Sequence, residues 1–159
     1  MSHVFPRHSK ANPPIAAGGS GVYLTDTTGK QYLDASGGAA VSCLGHGDVE
    51  IIDAIKAQLD RFEFAHTGFF TTEAAESLAD LLIENAPQNL ERVYLVTGGS
   101  EAVEAAIKLA RQYFIEIGQP SKHKVIARLQ SYHGNTLGAL ATGGNMWRRE
   151  PFSPLMIDT

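Results

Sequence analysis

One stretch of the sequence decides the fold: Arg92-Val-Tyr-Leu-Val-Thr-Gly-Gly-Ser-Glu-Ala-Val-Glu-Ala-Ala-Ile-Lys-Leu-Ala-Arg111. Its first residues form a short apolar run typical of a buried β-strand, and a Gly-Gly-Ser turn at 98–100 interrupts that run. Apolar residues then recur with helical spacing until a glycine and a proline end the pattern. The stretch therefore predicts a strand, a glycine turn and a helix, in that order.

The turn at 98–100 is suited to hold an anion. A helix N-terminus offers unpaired N–H groups and the positive end of the helix dipole, glycines let a ligand approach the backbone, and Ser100 adds a hydroxyl. The same residues also make an ordinary turn with a serine at a helix cap. From these three residues alone both interpretations stay open. The sequence has no Gly-x-x-x-x-Gly-Lys motif, which argues against a P-loop nucleotide site.

The residues after this helix repeat the alternation of strand and helix. Residues 124–129 form a second strand candidate, a segment of less definite type follows at 136–142, and a third strand candidate lies at 155–159. The order strand, helix, strand predicts a parallel sheet, which needs several strands and helices on both faces. So few strands make an incomplete sheet, and we interpret the chain as the first part of a larger α/β protein.

Two amphipathic helices and a hairpin are predicted upstream. Residues 52–62 carry apolar side chains at helical spacing after Asp48, a suitable cap, and a second such run ends at Asn85 and Pro87. Short β-type runs at 21–25 and 31–34 flank an Asp-Thr-Thr-Gly turn, which is typical of a β-hairpin.

The composition is that of a globular chain. The 159 residues include 13 Lys+Arg and 17 Asp+Glu, so the net charge of −4 gives no reason to expect nucleic acid as a partner.

Cys43 is the single cysteine, which excludes an intrachain disulfide and favours a reducing compartment. No signal-peptide pattern and no run of about 18 apolar residues occurs, so we expect a cytoplasmic protein without a membrane partner. No histidine pair has a recognised ligand spacing, and no metal site is expected.

Four motifs occur in a recognisable order: residues 21–34, Leu44-Gly-His-Gly47, residues 97–111 and Ser131-Tyr-His-Gly134. At these spacings they resemble the N-terminal part of class III, or omega-type, aminotransferases, which are pyridoxal-phosphate enzymes of fold type I. The resemblance extends from about Gly18 onward. It implies that residues 1–17 are an irregular N-terminal arm, 18–47 the hairpin segment of a small domain, and 48–159 the first part of a large cofactor-binding α/β domain with a mainly parallel sheet.

The resemblance implies a pyridoxal 5'-phosphate site at the glycine turn. Gly98, Gly99 and Ser100 match residues that hold the cofactor phosphate, although the family often has serine where Gly98 stands, so Gly98 would contribute only its backbone. Tyr132 matches the aromatic residue that stacks on the pyridine ring, with His133 beside it. Such stacking is worth ~0.5–1.5 kcal/mol beyond burial. The alternative for Tyr132 is a half-buried packing residue.

A substrate pocket is implied at two other places in the chain. Ala39 and Ala40 fall where the family lines its pocket. Phe70, with Phe69, matches a loop that reaches the neighbouring subunit's active site in the family dimer. An ordinary place in the core is an equal alternative for the two phenylalanines.

The acidic residues that follow the turn receive a structural interpretation. Glu101 and Glu104 lie near the helix start, and Glu104 is four residues before Lys108. We therefore predict helix-dipole complementarity and a Glu104–Lys108 ion pair worth ~0.2–0.5 kcal/mol.

Family membership would imply transfer of an amino group from an amine or omega-amino acid to a 2-oxo acid, in a homodimer or a complex with the C-terminal part. That reaction needs a lysine that forms a Schiff base with the cofactor. In the family this lysine lies downstream of these motifs, and no lysine here matches it, so the catalytic residue is unknown and the isolated chain is expected to be inactive. The alternative is a non-catalytic fragment or interaction module that binds a phosphate ligand or a full-length relative.

Overall fold

A computed structural model describes residues 3–8 and 10–157. Its regular elements are β1 Ala16–Ser20, β2 Tyr23–Asp26, β3 Gln31–Leu33, α1 Gly37–Ala40, α2 Val49–Arg61, α3 Glu73–Glu84, α4 Gly99–Glu116, α5 Leu137–Thr142, α6 Met146–Arg149 and a 3-10 helix Glu150–Leu155. The chain divides into two compact units, Met1–Glu73 and Ala74–Thr159. Within the described ranges, every helix is too short or too polar to cross a bilayer.

The first unit contains a three-stranded antiparallel sheet in the order β1-β2-β3. Tyr23 pairs with Leu33 and Thr25 with Gln31, which confirms the predicted hairpin. β1 pairs with β2 and was not predicted as a strand, because its sequence Ala-Ala-Gly-Gly-Ser has none of the branched or aromatic residues typical of strands. Its pairing to a neighbour outweighs that weak local preference.

Asp26 organises the hairpin turn. Its Oδ1 accepts hydrogen bonds from the Thr28 hydroxyl at 2.6 Å, the Thr28 N–H at 2.8 Å and the Lys30 N–H at 3.1 Å. Its Oδ2 accepts from the Tyr32 hydroxyl at 2.8 Å. These donors, the Thr28 hydroxyl most of all and then Tyr32, lower the pKa of Asp26 from 3.8 to about 2.

α2 begins as the sequence predicts. The Asp48 side chain accepts from the Ile51 N–H at 3.1 Å, so Asp48 is the predicted cap, and Arg61 is the last helical residue. The apolar stripe of this helix stays largely open, with Ile52 at 40% and Ile55 and Leu59 at 56% exposure. The periodicity therefore identified the helix correctly, while the described residues leave its apolar face uncovered.

The second unit is organised by α4 and α5. α4 runs from Gly99 to Glu116, and its end is followed by Gly118 with φ of 72°, as the sequence pattern predicts. α5 occupies the segment at 136–142, for which the sequence predicted no definite element, and its residues from Gly138 to Thr142 are all buried. It packs against both α4 and α6. The buried apolar side chains of the described chain thus lie in this one short helix.

The strands predicted downstream are absent from the described part of the chain. Residues 92–97 and 124–129 have no regular secondary structure, and the third candidate, at 155–159, begins at the last residue of the 3-10 helix; residues 158 and 159 lie outside the described ranges. Tyr94 is 80% and Ile126 is 99% exposed. The physical reason is that a parallel strand is defined by a hydrogen-bonded neighbour, and the described residues form a sheet only from β1, β2 and β3. Apolar composition alone does not supply that neighbour.

We expect Asp26→Asn to loosen the hairpin turn, because an amide oxygen is a weaker acceptor than a carboxylate. Since the folded pKa of about 2 is below the ordinary 3.8, this carboxylate stabilises the turn fully above about pH 4 and ceases to do so as the pH falls toward 2. Amide hydrogen exchange at Thr28 and Lys30, with an NMR titration of Asp26, measures both effects. The control is Asp60→Asn, an exposed acid on α2. Equal exchange in the two variants at neutral pH would contradict the assignment.

Candidate cofactor site

The start of α4 presents its backbone without a capping side chain. Gly98 is the N-cap residue, in an extended conformation with φ of −171° and ψ of 172°, and its carbonyl accepts the first helical hydrogen bond from the Ala102 N–H at 3.0 Å. Among the described residues no side chain caps this turn. The N–H groups of the first turn and the positive end of an 18-residue helix dipole therefore favour an anion here.

Glu101 lies beside that turn. A Cβ atom at Gly98 would stand 2.8 Å from Glu101 Oε2, so the carboxylate occupies the space that a side chain at position 98 would need. An acidic group is favoured at a helix N-terminus for the same reason as a phosphate. A side chain at position 98 would therefore have to displace the Glu101 carboxylate.

Ser100 is joined to the segment that follows Tyr132. Its hydroxyl donates to Asn135 Oδ1 at 3.1 Å and accepts from the Asn135 N–H at 3.2 Å. Gly134 is buried against it with φ of 135°, and a Cβ there would lie 2.6 Å from Ser100 Oγ and 2.9 Å from Ser100 Cα. The structure therefore brings the glycine turn and the Ser131-Tyr-His-Gly134 motif together. Asn135 was missed because its contact spans 35 residues and no local pattern signals it.

The Tyr132 ring is open to solvent. It is 61% exposed, and the Arg148 guanidinium carbon lies 5.3 Å from its centroid and 4.7 Å from the Trp147 ring. This is not the half-buried packing residue that the sequence allowed as an alternative. A ring with a cation near it and open surface can stack on a flat aromatic ligand. His133, beside it, is half-buried.

Glu104 contacts a different partner from the one predicted. Its Oε1 accepts hydrogen bonds from the N–H groups of Gly138 at 2.8 Å and Ala139 at 3.1 Å, at the start of α5. The described residues contain no Glu104–Lys108 ion pair, so that prediction is wrong. Two N–H donors at a helix start stabilise the carboxylate more than a pair with the exposed Lys108 would, which explains the outcome.

Several groups keep the Glu104 carboxyl ionised. The Thr136 hydroxyl has the largest effect in lowering the pKa of Glu104, followed by the N–H groups of Ala139 and Gly138 and the charge of Lys108. The Thr136 hydroxyl oxygen is buried, and no atom of the described residues lies at hydrogen-bonding distance and angle from it. The hydrogen bonds that join Glu104 to the start of α5 are therefore those from the backbone N–H groups of Gly138 and Ala139.

The predicted pocket residues Ala39 and Ala40 lie in the first unit, within α1. The backbone φ is positive at Gly37 (55°), Gly38 (57°) and Ala40 (66°). Glycine adopts such a turn freely, whereas an alanine there costs roughly 1–2 kcal/mol. The side chain of Ala39 is outside the part of the chain that the structure describes.

Asp34 holds the residues that follow this turn. Its Oδ2 accepts from the Ser42 hydroxyl at 3.1 Å and contacts His46 Nε2 at 2.8 Å. His46, then Ser42, lower the pKa of Asp34. His46 in turn exchanges two backbone hydrogen bonds with Gly21, at 2.8 and 2.9 Å, which attaches this corner to the sheet.

Phe69 and Phe70 are exposed, at 82% and 67%. The core alternative for this pair is therefore wrong for the described chain, and their role at a subunit interface stays a prediction. Their backbone N–H groups both donate to the His66 carbonyl at 3.0 Å, which fixes a tight turn. Across the described ranges, no cluster of three or more potential metal-ligating side chains occurs.

Comparison with known proteins identifies relatives of the whole chain. The family model for aminotransferase class III matches residues 5–158. An uncharacterized aminotransferase of Schizosaccharomyces pombe is 41% identical over 159 residues, which is 100% of this chain and 34% of that protein.

Solved structures agree. An adenosylmethionine-8-amino-7-oxononanoate aminotransferase from Methanocaldococcus jannaschii superposes with a TM-score of 0.89 at 32% identity, over 98% of this chain and 37% of that one. An omega transaminase from Pseudomonas jessenii in complex with PMP gives 0.86 at 28% identity, over 94% and 35%. The chain spans about a third of the length of these proteins. The predicted fold class is thereby confirmed.

We expect Gly134→Ala to destabilise the chain by about 1–3 kcal/mol, because the new methyl group would overlap Ser100 and the backbone has a positive φ. The matched control is Gly99→Ala, since a Cβ at Gly99 meets no atom within 4 Å. Urea denaturation of both variants measures the difference. A Gly134 variant as stable as the Gly99 variant would show that the two motifs are not packed together.

Proposed function

Because this chain belongs to the aminotransferase class III family, we propose that it supplies the phosphate-anchoring and ring-stacking part of a pyridoxal-phosphate-dependent aminotransferase. The observation that carries the proposal is the contact between the two implied halves of the cofactor site. Ser100, at the start of α4, hydrogen bonds to Asn135, three residues after Tyr132. A phosphate on the helix N-terminus and a ring near Tyr132 therefore fit one small molecule.

The residues present fit that cofactor. The start of α4 is uncapped and offers N–H donors to a phosphate, and Ser100 adds one hydroxyl. The 61% exposed ring of Tyr132 can accept a flat ring by stacking. When bound, pyridoxal phosphate serves as the electron sink that makes amino-group transfer possible.

In this proposal, the site residues of this chain bind and orient the cofactor. Gly98 and Gly99 let the phosphate approach the backbone, Ser100 donates to it, and Tyr132 sets the plane of the ring. His133 follows Tyr132 in the sequence and is half-buried, and we include it in this site because of the resemblance. We further propose that Ala39, Ala40 and Phe70 contribute to the substrate pocket of the assembled enzyme.

No lysine of this chain matches the position of the Schiff-base lysine that the resemblance implies. All are exposed, and several are engaged elsewhere: Lys30 lies 4.8 Å from the Tyr32 ring centroid, Lys56 pairs with Asp53 at 3.1 Å, and Lys122 lies 4.8 Å from the Phe114 ring centroid. The cofactor-binding lysine therefore comes from another part of the polypeptide or from another chain. Supporting this, the chain spans about a third of its relatives.

The substrates in this proposal are an amino donor, either an amine or an omega-amino acid, and a 2-oxo acid acceptor. The active assembly is a homodimer or a complex with the C-terminal part, located in the cytoplasm. A second candidate function is a non-catalytic module that uses the same anion site to bind a phosphate ligand or a full-length relative. The absence of a suitably placed lysine favours that candidate for the isolated chain.

We expect Ser100→Ala to weaken binding of pyridoxamine 5'-phosphate about tenfold, or ~1.4 kcal/mol, which is at the lower end of what a hydrogen bond to a charged group contributes. Pyridoxamine phosphate is the suitable probe because it has no aldehyde to react with exposed lysines. Calorimetric titration of the chain measures the affinity, and Ser121→Ala, an exposed serine after α4, is the control. Equal affinities in the two variants would contradict the site.

A second expectation separates the two candidate functions. The chain alone should show no amino-group transfer, and addition of a polypeptide carrying the remaining two thirds of a relative should restore it. Borohydride fixation followed by peptide mapping should place the cofactor on a lysine of the added polypeptide. Turnover by the chain alone with site-specific fixation on one of its lysines would overturn this division, and failure of every complement to restore turnover would favour the non-catalytic module.

A further inference from the structure

Two side chains of α4 form hydrogen bonds with the segment that follows Tyr132. Ser100 and Glu104 are four residues apart and therefore share one face of the helix. Ser100 bonds to Asn135, and Glu104 accepts from the N–H groups of Gly138 and Ala139 at 2.8 and 3.1 Å. The segment from 135 to 139 is thus hydrogen-bonded to α4 at both of its ends, to Ser100 at one end and to Glu104 at the other. We call these two sets of hydrogen bonds the Ser100 tie and the Glu104 tie.

The Ser100 tie conflicts with phosphate binding. A serine hydroxyl has one proton to donate, and that proton now bonds to Asn135 Oδ1 at 3.1 Å. If it turns to a phosphate, Asn135 keeps only its own N–H bond to Ser100 Oγ, at 3.2 Å. The tie nearest the phosphate therefore weakens at the moment when Tyr132 must be held in place.

The Glu104 tie has no such conflict. Its carboxylate contacts N–H groups one helical turn away from the phosphate position, and a carboxylate has acceptor capacity left over. Charge-assisted bonds of this kind are about twice as strong as neutral ones. The N–H groups it satisfies begin α5, whose residues 138–142 are buried, so releasing them would expose unpaired donors in the best-packed part of the unit.

The far end of the segment is fixed as well. The Gly144 N–H donates to the Ser131 carbonyl and the Gln130 N–H to the Gly144 carbonyl, each at 3.0 Å, so Tyr132 follows directly after a fixed point. α5 connects that anchor to Glu104. Any shift of α5 along α4 would therefore move the Tyr132 loop relative to the helix start.

We propose that Glu104 is a positioning residue of the cofactor site, which keeps the Tyr132 loop in register with α4 while the phosphate takes the Ser100 proton. This inference rests on the proposed function, because the role has meaning only if one ligand spans both places. In this proposal two residues on one face of α4 have different roles. Ser100 binds the ligand, and Glu104 keeps in place the Tyr132 loop on which the ligand's ring lies.

Amide hydrogen exchange tests the tie directly in the full chain. Glu104→Ala should speed exchange at Gly138 and Ala139 about tenfold or more, and Glu104→Gln, which keeps one acceptor oxygen, should give an intermediate rate. Glu116→Gln, an exposed acid in the last turn of the same helix, is the control and should change neither amide. Unchanged exchange at both amides in Glu104→Ala would overturn the inference.

A pair of ligands tests the positioning role. Inorganic phosphate needs only the helix start, whereas pyridoxamine 5'-phosphate also needs the Tyr132 ring. We expect Glu104→Ala to weaken pyridoxamine phosphate about tenfold and inorganic phosphate less than about twofold, with partial recovery in Glu104→Gln; Ser100→Ala should weaken both. This split is a readout that a merely structural role would not produce.

The outcomes are distinct. Equal pyridoxamine phosphate affinity in wild type and Glu104→Ala would overturn the inference and leave the proposed function standing. Equal loss of both ligands, or loss of exchange protection throughout α4 in both Glu104 variants, would overturn it in favour of a general structural role. Wild-type chain that binds pyridoxamine phosphate no better than inorganic phosphate would overturn the proposed function, and the positioning role with it.

Discussion

The contact between the Glu104 carboxylate and the N–H groups that begin α5 is the constraint on which the second unit depends. α5 is six residues long, too short to be stable by itself, and it holds the buried apolar side chains of the described chain. A short helix with buried donors at its start needs an acceptor supplied from elsewhere. α4 supplies that acceptor from one helical turn beyond Ser100, so one face of α4 contacts both Asn135 and the start of α5.

Local physical rules explain what the sequence could predict. The Asp48 cap, the glycine after α4 and the Asp-Thr-Thr-Gly turn each depend on residues within a few positions, and each is present as predicted. The same holds for the turn at 98–100, where glycine content and helical periodicity change at one point. Its interpretation as a cofactor site depended on the resemblance, because the three residues alone also fit an ordinary cap.

Interactions between distant residues explain what the sequence could not predict. Asn135 and the true partners of Glu104 are 34 or 35 residues away along the chain, and no periodicity encodes such a pairing. Strand formation at 92–97 and 124–129 failed as a prediction for a related reason, since a ladder requires neighbours that apolar composition does not provide. Tyr94, at 80% exposure, is an example: the apolar run predicts a buried strand, and the described residues do not cover it.

The turn at α1 has a consequence for how this region can vary. Three of its positions have a positive φ, and two of them are glycines. Any side chain introduced at Gly37 or Gly38 would meet the steric penalty that Ala40 already has. Backbone geometry therefore limits which residues this turn can accept, whatever the chemistry of their side chains. At Ala40 a change to glycine or asparagine relaxes the backbone, whereas a branched residue compounds the strain. The positions that flank this turn can therefore accept new side chains at a lower backbone cost than the turn itself.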